Sequence, residues 1–191
     1  MTQTSENERW ILSFYRSSEI SGSLFFGRLA RSVRDSRIQA DLTKHYADES
    51  QHAWYWTQCL GDLDLKPIIL HESYQDQYLA AIGIPTNMME VLAITQIFER
   101  RVIGQYGIHR HIEDLNPIVA KTLDRIMEDE KWHIKWVGDA LKLMEADYSK
   151  ELIEKTLQRF QDADTDVYAK TLAEHGERMT SLFGKTIQKM R

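Results

Sequence analysis

Two short stretches of the chain repeat one arrangement of acid and imidazole. Asp48-Glu49-Ser50-Gln51-His52 is followed by Tyr55, and Asp129-Glu130-Lys131-Trp132-His133 is followed by Trp136 at the same offset. On a helix, a Glu-x-x-His pair sets both side chains on one face, one turn apart. The face around the first pair reads Leu42, Tyr46, Glu49, His52, Trp56 and Leu60; the second reads Leu123, Ile126, Glu130, His133, Val137 and Leu141. Each pair interrupts an apolar or aromatic stripe that should face a core. A buried carboxylate is costly unless a cation pairs with it, and no Lys or Arg shares either face. The chemistry these residues suit is the ligation of metal ions.

The elements that must position them are helices. Nine Gly and three Pro in 191 residues are few breakers, which predicts an all-α chain. Ser5 with Glu8 has the form of a capping box and opens a first helix to about Val33; Ser36 with Gln39 repeats it and opens a second, ending near Leu60 or Gly61. Residues 62–86 carry Pro67 and Pro85 and read as a long crossover with a short helix around Asp76–Ile82. Asn87 with Glu90 starts a third helix to about Asp114, and Asn116 before Pro117 starts a fourth to about Ala146. Ser149 opens a fifth block, expected to break near Asp162–Asp166. The expected architecture is a single domain over residues 1–191. Two antiparallel hairpins form a core over about 5–146, and a C-terminal helical extension covers about 149–191.

Glu19 and Glu99 supply the matching acids. Each lies about 17 residues before its hairpin turn and the Glu-His pairs lie about 13 to 17 after, so antiparallel helices bring all six to one level. Glu90 stands about 13 Å along the axis from Glu99, and its capping position already explains it. Four carboxylates with two neutral imidazoles carry a charge that two divalent cations cancel. One Glu from each of two helices, with Glu-x-x-His from each of the other two, is the di-metal carboxylate pattern.

On Glu19, Glu49, His52, Glu99, Glu130 and His133, over about residues 5–146, the sequence resembles the ferritin-like di-iron carboxylate superfamily, including bacterioferritins and rubrerythrins. The resemblance implies a ferritin-like four-helix bundle with a C-terminal fifth helix, holding two iron ions, with manganese as the alternative. It implies that Glu49 and Glu130 bridge the metals, that Glu19 and His52 complete one, and that Glu99 and His133 complete the other. Asp48 and Asp129 would each accept a hydrogen bond from the ligand histidine of the opposite hairpin, which fixes its tautomer. The chain departs from relatives in places. Val102 stands where rubrerythrins carry a further carboxylate, one cysteine cannot build their rubredoxin module, and the tail exceeds the short fifth helix of ferritins. The implied activity is an oxidoreductase that activates O2 or peroxide, with an external electron donor. Its substrate would be ferrous iron, peroxide or a small organic molecule. Iron oxidation and storage is the alternative, with a homodimer docking its fifth helices. A metal-free helical interaction module is a third reading.

Other residues read more plainly. Tyr46, one turn before Glu49, is the candidate redox aromatic, while Tyr106 and Phe26 read as core filling. His109 and His111, beside Arg110 at the end of the third helix, read as surface groups favoured by the helix dipole. His45, His71 and His175 show no partner pattern. Asp162, Asp164 and Asp166 space like the start of an EF-hand, but Val167 and Ala173 replace its Gly and Glu, which leaves a turn or cap. Gly22 and Ser23, a turn after Glu19, are small enough to leave a cavity or to let helices close. A formal net charge of −5 gives no electrostatic reason for nucleic acid or an anionic membrane as partner. No run of about 18 apolar residues exists to span a bilayer. The polar N-terminus and lone Cys59 lead us to expect a cytoplasmic protein.

Overall fold

A computed structural model describes residues 6–70 and 74–189. Among them the regular elements are all helical: α1 (Glu6–Ser32), α2 (Gln39–Asp62), α3 (Tyr74–Ile82), α4 (Met88–Arg110), α5 (Pro117–Leu143), a 3₁₀ turn over Met144–Ala146, and α6 (Lys150–Lys189).

Local chemistry sets most helix ends. Asn87 Oδ1 accepts from the Glu90 N–H at 2.9 Å, and Glu90 reaches back to the Thr86 N–H at 2.8 Å. Asn116 Oδ1 accepts from the Ile118 N–H at 2.9 Å, with Pro117 in the first turn. The start of α2 differs from expectation: Ile38 is its N-cap and makes no side-chain bond there. Asp35 rather than Ser36 organises that turn, accepting from the Arg37 N–H at 2.9 Å. The cap read at Ser5 lies outside the described residues. Helix α4 stops at Arg110, before Asp114 turns into the left-handed region at φ 58°.

Helices α1 and α2 pack antiparallel. Contacts run in opposite sense along them: Arg16 Nε donates to Thr57 Oγ1 at 2.8 Å, the Ser23 and Ser50 hydroxyls meet at 2.7 Å, and Gly27 faces the Tyr46 ring. Helices α4 and α5 pair in the same way, from Arg110 on Asp124 to Gln96 against Gly138. Helix α2 in turn packs antiparallel on α5. The crossover runs along α1, where Arg9 Nε donates to Lys66 O at 2.8 Å and Ser13 Oγ accepts from the Ile68 N–H at 3.0 Å. Helix α3 then lies between α1 and α6.

Helix α6 runs beside α4 and continues through Asp162–Asp166 without the expected break. No Gly or Pro interrupts it there. Asp164 is buried and turned inward, accepting from Arg101 Nε at 3.1 Å and the Tyr74 hydroxyl at 2.7 Å. What reads as a breaker is an anchor to two other helices.

The apolar residues form two clusters. One contains Phe26, Leu42, Ile94, Trp136, Val137 and Leu141; the other contains Tyr15, Trp56, Leu60, Tyr106, Leu123 and Ile126. On each of α1, α2, α4 and α5 the two sets fall on opposite sides of the Glu and His residues singled out above. Those residues therefore occupy one polar layer between two dry ones. Among the described residues, no helix is long and apolar enough to cross a membrane.

Candidate metal centre

The six sequence-selected residues meet in that layer, all buried. Helix α1 brings Glu19, α2 brings Glu49 and His52, α4 brings Glu99, and α5 brings Glu130 and His133. Joined by His45, they form two groups whose ligand atoms lie within 4.8 Å of one another. One is Glu19, Glu49, His52 and Glu130; the other is His45, Glu49, Glu99 and His133. Glu49 belongs to both. Glu130 spans them differently, with Oε1 3.2 Å from His52 Nδ1 and Oε2 3.1 Å from His133 Nδ1. His133 Nδ1 also lies 3.6 Å from Glu99 Oε2, and His52 Nδ1 lies 3.7 Å from Glu19 Oε2.

The outer nitrogens of both histidines are tied across the hairpins. His52 Nε2 stands 3.2 Å from Asp129 Oδ2, and His133 Nε2 stands 3.3 Å from Asp48 Oδ2. A carboxylate accepts, so each Nε2 carries a proton and each Nδ1 faces the centre. Asp48 also accepts from the Lys44 ammonium, whose nitrogen lies over the Trp132 ring, 3.8 Å from its centroid. Both aspartates are held below the usual carboxylate range: the Asp129 carboxyl chiefly by the His52 hydrogen bond, and the Asp48 carboxyl because His133 and Lys44 outweigh its partial burial.

Electrostatics in the layer follow from burial. Among the described residues, no Lys or Arg pairs with Glu19, Glu49, Glu99 or Glu130. Burial, then the charges of Glu19 and Glu99, raises Glu49 well above its ordinary range. Burial, then Glu99, pushes Glu130 up to about 7. For Glu99 burial acts upward, but His45 and His133 overcome it and hold the carboxyl low. Burial also opposes charge on His133, yet hydrogen bonds to Asp48, Glu130 and Glu99 push it up to about 12. With no Lys or Arg paired to these carboxylates among the described residues, the acids and imidazoles of the layer share protons between them.

His45, which showed no partner pattern in the sequence, is part of this layer. It is buried, its ring stacks on His133 at 3.7 Å, and its Nε2 lies 3.1 Å from both Glu49 Oε1 and Glu99 Oε1. Its spacing, four residues before Glu49, was the available signal. Its other nitrogen separates it from the two remaining histidines. Nδ1 accepts from the Trp136 indole N–H at 3.1 Å. An indole nitrogen only donates, so the His45 proton sits on Nε2, pointing at the two carboxylates. Its distances would suit a ligand, but its tautomer suits a hydrogen-bond donor, and the tautomer decides.

Two aromatic assignments change. Tyr46 lies beside the site-bearing face of α2, 39% exposed, with its ring against Gly27. Tyr106 is the tyrosine at the layer: its buried hydroxyl donates to Glu19 and accepts from Trp56 Nε1 at 3.2 Å. His109, expected at the surface, is fully buried one turn beyond Tyr106, its ring against Tyr15, and burial pulls its pKa down to about 4. It shares the inward face of α4 with Glu99 and Tyr106, and that position outweighs the end of the helix. His111 is exposed as expected. His71 and the side chain of His175 lie outside the described residues. Glu90 is far from the layer, on Thr86 and Arg159.

Gly22 leaves room for the Glu49 carboxylate, whose Oε2 a Cβ there would displace. Beside it a cavity of about 210 Å³ opens between α1, α3 and α4, reaching Glu19, Glu49, Glu99 and Glu130. Comparison with protein-family models, curated proteins and solved structures finds no match.

Proposed function

We propose that this layer holds two divalent metal ions, iron or manganese, in a ferritin-like four-helix bundle, and that the protein is an oxidoreductase acting with O2 or peroxide. One observation carries the reading. His52 Nδ1 and Glu130 Oε1 are buried 3.2 Å apart, yet neither has a hydrogen-bond partner. Both lone pairs are left for a third group, and a buried polar atom without a partner is costly. A cation satisfies both at once. Glu19, Glu49, Glu130 and His52 would hold one ion; Glu49, Glu99, Glu130 and His133 would hold the other. The oxygen-rich donor set suits a hard, redox-active metal. Such a pair of ions supplies the electrons and Lewis acidity for O2 or peroxide chemistry.

The remaining residues orient and protect that set. Asp129 and Asp48 fix the two ligand tautomers. Trp136 fixes His45 as an Nε2–H donor, which holds Glu49 and Glu99 in place and stores a proton beside them. Tyr106 steadies Glu19 and is a redox-capable side chain hydrogen-bonded to the set. The two apolar clusters exclude water from either side.

Anaerobic ferrous titration with metal analysis tests the reading. Two irons per chain, followed by O2 or peroxide consumption that saturates at that loading, is the expected result. No uptake would sink it, and uptake far beyond two per chain would favour storage.

A further inference from the structure

The two groups of acids and imidazoles are not equally open to a cation. In the group of Glu19, Glu49, His52 and Glu130, His52 Nδ1 and Glu130 Oε1 are buried without a hydrogen bond, and Glu19 Oε2 lies 3.7 Å from the same Nδ1. An ion placed there satisfies two buried acceptors and breaks no hydrogen bond at either.

In the other group the acceptors are engaged. His45 Nε2, which bears the proton, lies 3.1 Å from both Glu49 Oε1 and Glu99 Oε1. Glu130 Oε2 lies 3.1 Å from His133 Nδ1. The His45 ring is fixed in direction, because it stacks on Phe26 at 4.0 Å and on His133 at 3.7 Å while the Trp136 indole donates to its Nδ1. Glu49, common to both groups, divides its oxygens between them. Oε1 faces His45 and His133, at 3.1 Å and 3.9 Å, whereas Oε2 faces α1 at Gly22. The oxygen that Glu49 can offer beside Glu99 and His133 is therefore the one His45 already holds.

We propose that His45 sets a fixed order of metal entry. The first ion binds on Glu19, Glu49, Glu130 and His52. The second binds with Glu99 and His133, where it must share or replace the His45 hydrogen bonds. The first ion also neutralises part of the charge on Glu49 and Glu130, which weakens their pull on the second. A hydrogen bond to a charged group is strong enough that giving it up lowers affinity by about tenfold or more, and the second ion should bind weaker by that factor. The order rests on the metal reading above; the role of His45 in it is a separate claim.

Anaerobic calorimetric titration with Mn²⁺, followed by electron paramagnetic resonance, tests this. The parent protein should take up two ions in two separate steps. At one equivalent the spectrum should be that of isolated Mn²⁺, with the spin-coupled pair growing only as the second ion is added. His52→Ala should remove the tight step and His133→Ala the weak one. His45→Ala should strengthen the second step by about tenfold, toward the first. Mere damage to the site would weaken both steps instead. If His45→Ala does not fold, His45→Phe, which keeps a stacked ring and lacks the donor, replaces it. A single step for both ions in the parent, with coupled pairs abundant at one equivalent, overturns the order and leaves the metal reading standing. Loss of the tight step in His133→Ala rather than His52→Ala does the same. A gap between the steps that survives removal of the His45 donor overturns its role. Absence of any manganese uptake removes the metal reading and this proposal together.

Discussion

His45 and Tyr46 are neighbours on α2 that lead to opposite places. Sequence spacing allows either on the stripe through Leu42 and Glu49, because helical faces step by three or four residues. The structure turns His45 inward and leaves Tyr46 at the surface. The ligand assignment therefore makes a sharp prediction. His52→Ala or His133→Ala should lower metal content toward one ion per chain, and Glu130→Ala toward none, whereas His45→Ala should retain two. Trp136→Phe, which removes the indole donor, should free His45 to bind as a ligand and change the optical spectrum of a cobalt-loaded centre. Metal analysis and absorption of these variants decide it; loss of metal in His45→Ala would make it a ligand. The six proposed ligands were legible because acids and histidines at fixed spacing interrupt apolar stripes. Tyr106 was not, since its bond to Glu19 joins residues far apart in the chain and an inward tyrosine looks like packing.

Helix α6 acts on the site through α3. Its Asp164 accepts from Tyr74 and Arg101, and the Phe160 carbonyl accepts from the Tyr78 hydroxyl. The same short helix supplies Gln75 and Leu79 to the cavity wall. Asp164→Ala would leave a partly exposed Arg101 without its acceptor and the Tyr74 hydroxyl with only the main-chain oxygen of residue 164, 3.2 Å away. The expected loss of stability is about 2–4 kcal/mol by chemical denaturation, at the lower side for a buried pair because Arg101 keeps some water. Metal content should stay at two per chain, since among the described residues no proposed ligand bonds to α6; loss of metal would mean the wall also holds the layer. The starts of α4, α5 and α6 were readable from Asn87, from Asn116 with Pro117, and from Ser149. The continuity of α6 was not, because the partners that make Asp164 a buried anchor sit on α3 and α4.

Across the whole molecule, protons and metal compete for one layer. Glu130 is raised to about 7 and His133 to about 12, so the folded metal-free protein binds protons that the unfolded chain releases sooner. For a raised group, stability is present below the unfolded pKa and lost as pH rises through the folded one. Metal ions must displace those protons, so their affinity rises with pH. The melting-temperature gap between metal-loaded and metal-free protein should therefore widen from pH 6 to pH 8; a constant or shrinking gap would contradict a metal bound by these groups. The two hairpins also mirror each other in this layer, each aspartate serving the histidine of the other. His45 and Trp136 break the mirror, since their counterparts one repeat away are Ile126 and Tyr55. Of the two proposed metal positions, one would have the proton-bearing His45 imidazole against both Glu99 and the shared Glu49, and the other would meet it through Glu49 alone. The two irons would then differ in reduction potential, and a Mössbauer spectrum of the fully ferrous protein would show two unequal quadrupole doublets that merge toward one in His45→Ala.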